Sequence, residues 1–223
     1  MAFDTDSQAA LSALIDYARK AGADASEASY AARESISAEV RMGELEGMER
    51  EEGRSVALRA FIGKRQAAAS TTDLSANGLR TLAERTVAMA KAAPEDKFCG
   101  LLDEKYQARG AVPDLEMADS ARPSPEQLLE IARACEAASL AIPGIANSAG
   151  AGASSEVATF YYATSNGFEG GESGTTYSFG AQPIAERDDD MERDYEWRTK
   201  RFFSDLPAPE EIGRLAGERT ARR

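Results

Sequence analysis

Histidine is absent from all 223 residues. That excludes Ser-His-Asp and Cys-His catalysis within the chain, and every histidine-ligated zinc or iron site. Only two cysteines are present, Cys99 and Cys135. So few thiols in a chain of this length fit a reduced, cytoplasmic protein better than a disulfide framework, although a single Cys99–Cys135 bridge stays open. No apolar run reaches 18 residues, so no membrane-spanning segment is expected. The start, Met1-Ala2-Phe3-Asp4-Thr5-Asp6, lacks the basic-then-apolar pattern of a signal peptide. Basic residues are in deficit, 26 against 38 acids, for a net charge of −12. A chain this acidic repels a phosphate backbone, so direct nucleic-acid binding is not expected.

What is present suffices for a core. Hydrophobic residues make up 43% and charged residues 29%, an ordinary globular balance for one large domain or two small ones. Leu11, Leu14, Ile15 and Ala18 recur at helical spacing within residues 7–21, with Asp6 or Ser7 as cap and Gly22 as stop. Ile36, Ala38, Val40 and Met42 alternate with polar residues, which predicts a strand over 35–42. Residues 28–33 and 45–50 are shorter strand candidates. Val56, Leu58, Ala60 and Ile62 mark the best strand, and Gly63-Lys64 turns it into residues 65–71. Ser75 caps a second helix with the stripe Leu79, Leu82, Ala83, Thr86, Val87 and Ala90, ended by Pro94. Residues 94–123 read as loop.

Ser124-Pro125-Glu126-Gln127 is a strong helix start, and Leu128, Ile131, Ala132, Cys135, Ser139 and Ile142 form its inward face. Strands return over 156–164, 168–182 and 191–203, with Ser165-Asn166-Gly167 as a turn. Pro209 opens a last helix with Ile212, Leu215 and Ala216 as its stripe, and no stop signal follows before Arg223. A chain that ends on a helix and a truncated chain would both look like this. The order predicts an α+β fold: two successive helix and antiparallel-meander units, about 1–96 and 124–223, joined by the loop-rich segment. Ile36, Val40, Val56, Leu58, Leu79, Leu82, Leu128 and Ile131 are expected in the core.

Sites of chemistry are sparse. Asp188-Asp189-Asp190 with Glu192 lacks the spacing of a calcium loop and reads as a solvated turn. Gly150-Ala151-Gly152-Ala153 resembles a dinucleotide fingerprint but lacks the third glycine and the following helix. No Ser-x-x-Lys occurs; a looser Ser–Lys pair is defined by space and stays open. Aromatic residues concentrate in the second half. Tyr161, Tyr195, Trp197 and Phe202 are the candidate interface, with Glu192, Arg193, Arg198 and Lys200 as its polar rim. No catalytic, cofactor-binding or metal-binding residue is assigned.

Several stretches, in order, resemble the N-terminal half of the TldD/PmbA (TldE) family, on its PmbA side. They are Ala25-Ser26-Glu27-Ala28, the run Glu51–Arg59, Asp73-Leu74-Ser75 leading into Val87–Asp96, Thr164-Ser165-Asn166-Gly167-Phe168, and the charged arm running into the 209–223 helix. The resemblance implies that residues 1–223 form an N-terminal PmbA/TldD-like domain, with the family's C-terminal half absent from this chain. It implies a cytoplasmic metallopeptidase (a hydrolase acting in proteolysis and peptide maturation) built from a TldD-like and a PmbA-like subunit, and a link to modulation of DNA gyrase. The family's His-Glu-x-x-x-His motif belongs to the TldD-like subunit, which is expected to bind the metal, zinc. This chain holds no cofactor of its own. Its expected partners are a TldD-like subunit or a second copy in a dimer, with peptides as substrates, and no membrane. Two functions follow: a non-catalytic subunit half supplying assembly surface and part of a substrate chamber, or a stand-alone peptide- or protein-binding module.

Overall fold

The structure is a computed structural model and describes residues 5–108, 110, 113–187 and 190–223. Among the described residues, four helices, α1 (Thr5–Ala21), α2 (Ala76–Ala92), α3 (Pro125–Leu140) and α4 (Pro209–Ala221), accompany seven strands. The strands are β1 (Ala25–Arg41), β2 (Glu44–Ile62), β3 (Arg65–Thr71), β4 (Ile145–Thr164), β5 (Glu169–Arg187), β6 (Asp190–Arg193) and β7 (Glu196–Lys200). They form one sheet in the order β3-β2-β1-β4-β5-β6, with β7 also paired to β5. The pairings β2–β3, β5–β6 and β5–β7 are antiparallel. This is the α+β, antiparallel fold expected from the sequence.

Two compact units draw on this order. The first comprises Met1–Arg33, Gly53–Leu115 and Ala158–Ser173; the second comprises Glu34–Glu52, Glu116–Val157 and Gly174–Arg223. Strands β1, β2, β4 and β5 contribute residues to both.

In the first unit, Leu11, Leu14 and Ala18 of α1 meet Leu79, Leu82, Ala83, Val87 and Ala90 of α2 over Ala28, Val56, Leu58 and Ala60. The α2 stripe read from the sequence coincides with its buried residues, and the Ser75 hydroxyl caps it by accepting from the Gly78 amide. The cap read for α1 does not hold: Asp6 and Ser7 lie inside a helix that already includes Thr5. The Gly63-Lys64 hairpin is as expected, with Ile62 opposite Arg65.

In the second unit, Leu128, Ala132 and Cys135 of α3 and Ile212 and Ala216 of α4 cover Ala38, Val40, Ala151, Ala153, Phe179 and Ala181. Ser124 and Gln127 close the reciprocal capping box at the start of α3. Ile36 and Ile131 are half-buried, not fully buried, because they pack on the margin of this cluster. Met42 is exposed, not inward, because it sits in the β1–β2 turn with a φ of 51°.

The strands are longer than the sequence suggests. Residues 28–33 and 35–41 are one strand, with Met42 just beyond it, 45–50 and 55–62 are another, and β4 starts at Ile145, not at 156. The charged arm 191–203 breaks at Asp194-Tyr195 into β6 and β7.

Loop residues 116–123 are tied down by one carboxylate. Asp119 accepts the Phe203 amide at 2.8 Å and the Ala121 amide at 3.1 Å. Its own amide donates to the Thr175 hydroxyl, which donates to the Arg201 carbonyl. The Phe203 and Ala121 amides hold the Asp119 carboxyl below the usual carboxylate range. A lowered folded pKa means stabilisation that is full above the unfolded value, about 3.9, and lost as pH falls through the folded value. Asp119→Asn should therefore lower the urea midpoint at neutral pH. The gap to the unmodified chain should close as pH drops below about 4; a gap that stays constant across that range would refute the assignment.

Candidate functional site

An open cleft of about 600 Å³ lies in the second unit. It lies on the sheet face that α3 and α4 do not cover. Because side chains alternate along a strand, the residues between the core positions face it. They are Ser37 and Glu39 of β1, Gly152 and Ser154 of β4, and Ser178, Gly180 and Gln182 of β5. Tyr195 and Trp197 form one side, and Glu46 of β2 also lines the cleft.

Glycine opens this floor. A Cβ on Gly152 would lie 3.5 Å from the Ala38 carbonyl and 3.7 Å from the Glu39 Cγ. A Cβ on Gly180 would lie 2.5 Å from the Glu196 carbonyl oxygen and 2.6 Å from the Trp197 Cβ, so a side chain here would push β7 away. Gly180 is the cross-strand partner of Trp197. Tyr195 and Trp197 stack with ring centroids 4.7 Å apart and planes within 7°. They remain 48% and 56% exposed, so each ring keeps a free face.

The backbone under this pair is fixed from below. Asp194 accepts the Tyr195 amide at 2.8 Å and pairs with Arg223 at 2.9 Å, which together hold its carboxyl below the usual range. Glu196 points the other way and pairs with Arg198 and with Arg219 of α4. Glu39, in contrast, makes no hydrogen bond or ion pair to any described residue, and Glu46 meets only Arg41, at 3.9 Å. No lysine or arginine among the described residues lines the cleft.

The candidate interface residues therefore separate. Tyr195 and Trp197 come together on the surface. Tyr161 does not belong with them: it is 3% exposed, packs in the first unit's core, and its hydroxyl accepts from Gln8 and donates to Glu169. Its place on the core side of β4 gives it the parity of Ala163, a covered position. Phe202 is half-buried. Of the rim residues, Glu192, Arg193 and Lys200 are exposed, and Arg198 is engaged with Glu196.

Other groups carry no chemistry of their own. Both cysteines are free and buried, so no bridge forms. Burial, with Glu210 and Glu136 nearby, pushes the Cys135 thiol up to about 12, which keeps it protonated and unreactive at neutral pH. Burial and the Glu27 carboxylate likewise push the Tyr162 phenol up; Glu27 also pairs with Arg59 at 2.9 Å. Asp188 and Asp189 of the acidic run lie outside the described residues, while Asp190 and Glu192 are exposed on β6. The Gly150-Ala151-Gly152-Ala153 run is β-strand, not a phosphate loop. Among the described residues, no three histidine, cysteine, aspartate or glutamate side chains are grouped to hold a metal ion. A donor set without histidine or clustered carboxylates does not fit the zinc of a metallopeptidase. No helix among the described residues is long and apolar enough to cross a membrane.

Sequence reading missed the cleft, because it depends on small residues. The available signal was the parity of Gly152, Ser154, Ser178 and Gly180, which alternate with the covered Ala151, Ala153 and Phe179.

Comparison with known proteins gives this architecture a family. The model of the PmbA/TldA metallopeptidase domain 1 matches residues 26–90, and that of the PmbA/TldA metallopeptidase central domain matches residues 118–223. The metalloprotease PmbA of Escherichia coli O157:H7 is 31% identical over 201 residues, 90% of this chain and 44% of that protein. The chain thus spans less than half the length of this relative. Among solved structures, a protein described as a candidate modulator of DNA gyrase from Bacteroides thetaiotaomicron superposes with a TM-score of 0.92 at 23% identity. That match covers 99% of this chain and 51% of the other. TldE from Thermococcus kodakarensis superposes with a TM-score of 0.77 at 18% identity, over 96% of this chain and 46% of that one. At these identities the structures speak for the fold. With two of its domain models matched in order along most of the sequence, the chain belongs to the PmbA/TldD family.

Proposed function

We propose that the chain is the non-catalytic N-terminal portion of a PmbA/TldE-like subunit in a cytoplasmic TldD/TldE-type metallopeptidase. In this reading it supplies assembly surface and part of a substrate chamber. One observation carries the proposal: this member of a metallopeptidase family contains no histidine and, among the described residues, no cluster of metal donors. In this reading the hydrolytic metal is held outside these residues, by a TldD-like partner, and this chain contributes by positioning peptide. The open second-unit cleft is the feature suited to that task. Its Tyr195–Trp197 pair is assigned to the chamber wall.

The test is copurification of the full-length polypeptide carrying this sequence with a TldD-like subunit, followed by a peptide-cleavage assay. The pair should cleave and lose activity to a chelator, while this chain alone should be inactive. Hydrolysis by the isolated chain would overturn the proposal. Failure to copurify with any TldD-like subunit would leave a stand-alone binding module as the better account.

A further inference from the structure

The cleft combines three properties. It is about 600 Å³, within the range of roughly 300–1,000 Å³ typical of ligand sites. It has a stacked aromatic pair with free ring faces. Of the carboxylates that line it, Glu39 has no ion pair to a described residue, whereas Glu46 meets Arg41 at 3.9 Å and Glu196 is paired with Arg198 and Arg219. Glu39 stands between glycines on both neighbouring strands: its Oε2 lies 4.0 Å from a Cβ placed on Gly47, and its Cγ lies 3.7 Å from one on Gly152. Nothing therefore crowds or neutralises the carboxylate. Exposed tryptophan and tyrosine faces attract cations through the ring quadrupole, and guanidinium also stacks on them.

From this geometry we propose that the cleft binds extended peptides by an arginine or lysine side chain, with arginine preferred. The side chain lies on the free face of the Tyr195–Trp197 stack and its charge meets Glu39, supported by Glu46. Ser37, Ser154, Ser178 and Gln182 offer donors and acceptors to the peptide backbone. Arginine is preferred because a planar fork can stack and bond a carboxylate at once, which an ammonium cannot. The net charge of −12 adds long-range attraction for cationic peptides, so binding weakens as salt rises. The same charges disfavour nucleic acid on the aromatic platform, although such platforms stack bases in other settings.

This inference rests on the reading of the chain as a peptide-positioning subunit, but its test does not require the partner. Trp197 is the sole tryptophan, so its fluorescence reports the cleft directly. The 223-residue chain is titrated with a blocked pentapeptide bearing one central arginine, its citrulline analogue, free arginine amide and an oligothymidylate. A saturable fluorescence change is expected with the arginine peptide alone, weakened by salt. Loss of one charge-assisted contact should weaken binding about tenfold in Glu39→Gln. Calorimetry on Trp197→Leu, with circular dichroism to confirm its fold, should show a loss of similar size. Equal binding of arginine and citrulline peptides would overturn the charge assignment. Equal binding of free arginine amide would overturn the peptide. Stronger response to the oligothymidylate, or no response to any ligand, would overturn the proposal altogether. If copurification with a TldD-like subunit fails while the arginine peptide binds, only the subunit reading falls.

Discussion

Gly213→Ala should destabilise the second unit by about 3 kcal/mol, and Gly213→Val by more. Helices α3 and α4 approach each other across Gly213 and Gly217, one turn apart on the buried face of α4. A Cβ on Gly213 would lie 1.9 Å from the Cys135 carbonyl oxygen and 3.0 Å from the Ala138 Cβ. The obstacle is backbone, which cannot rotate aside as a flexible side chain can. The helices must separate, and separation opens gaps beside Leu128, Ala132, Ile212 and Ala216, whose burial holds the unit together. In an exposed helix, alanine is favoured over glycine by up to about 1 kcal/mol, so a net loss here measures the close contact against an opposing propensity. Gly53 is the control: a Cβ there meets nothing, and Gly53→Ala should stay within about 0.5 kcal/mol. Urea titration of both variants decides the matter, and an unchanged midpoint for Gly213→Ala would show that the helices do not pack this closely.

Those glycines illustrate what was legible in the sequence and what was not. Features set by neighbours along the chain could be read directly. The Ser75 cap, the Ser124–Gln127 capping box, the α2 stripe and the Gly63-Lys64 hairpin all depend on residues within one or two turns of each other. Features set across the chain could not. Gly213 inside α4 has no local reason; its reason is the Cys135 carbonyl. After Ile145, the first half of β4 is mostly alanine, glycine and serine, weak strand formers by propensity. It is extended because β1 and β5 pair with it on either side. The N-terminal half of β2 is nearly all exposed, so it offered no alternation to count. The interface reading failed at Tyr161 because aromatic content alone does not say which face of a strand a ring occupies. Tyr195 and Trp197 stand two residues apart, but their stack and cleft need Gly180 on another strand, which no local pattern shows.

The inward face of α3 holds one residue that a hydrophobic stripe cannot predict. Glu136 is 1% exposed, beside Cys135 and one turn from Ala132 and Ser139. Its two carboxylate oxygens accept the amides of Met42 at 3.0 Å and Gly43 at 2.8 Å. These are the two central residues of the β1–β2 turn, with φ of 51° and 81°. Left-handed backbone at a residue other than glycine carries a cost, and it persists where surroundings fix it. The carboxylate does so by engaging both amides of the turn at once. It thereby anchors the hairpin that carries Glu39 and Glu46 to the helix behind the sheet. Hydrogen bonds to a charged acceptor contribute about 1.5–3 kcal/mol each, less where water can replace them, as it can at this exposed turn. Glu136→Ala should therefore cost about 3 kcal/mol in total, from two lost bonds and a small cavity. Glu136→Gln should cost less, near 2 kcal/mol, because one oxygen is kept while the amide nitrogen faces a donor. Urea titration gives the size of the loss. Amide hydrogen exchange gives its location: the Met42 and Gly43 protons should exchange much faster in both variants, while those in the middle of α2 keep their protection. If Glu136→Ala leaves the two turn amides protected, the carboxylate is not what holds the hairpin.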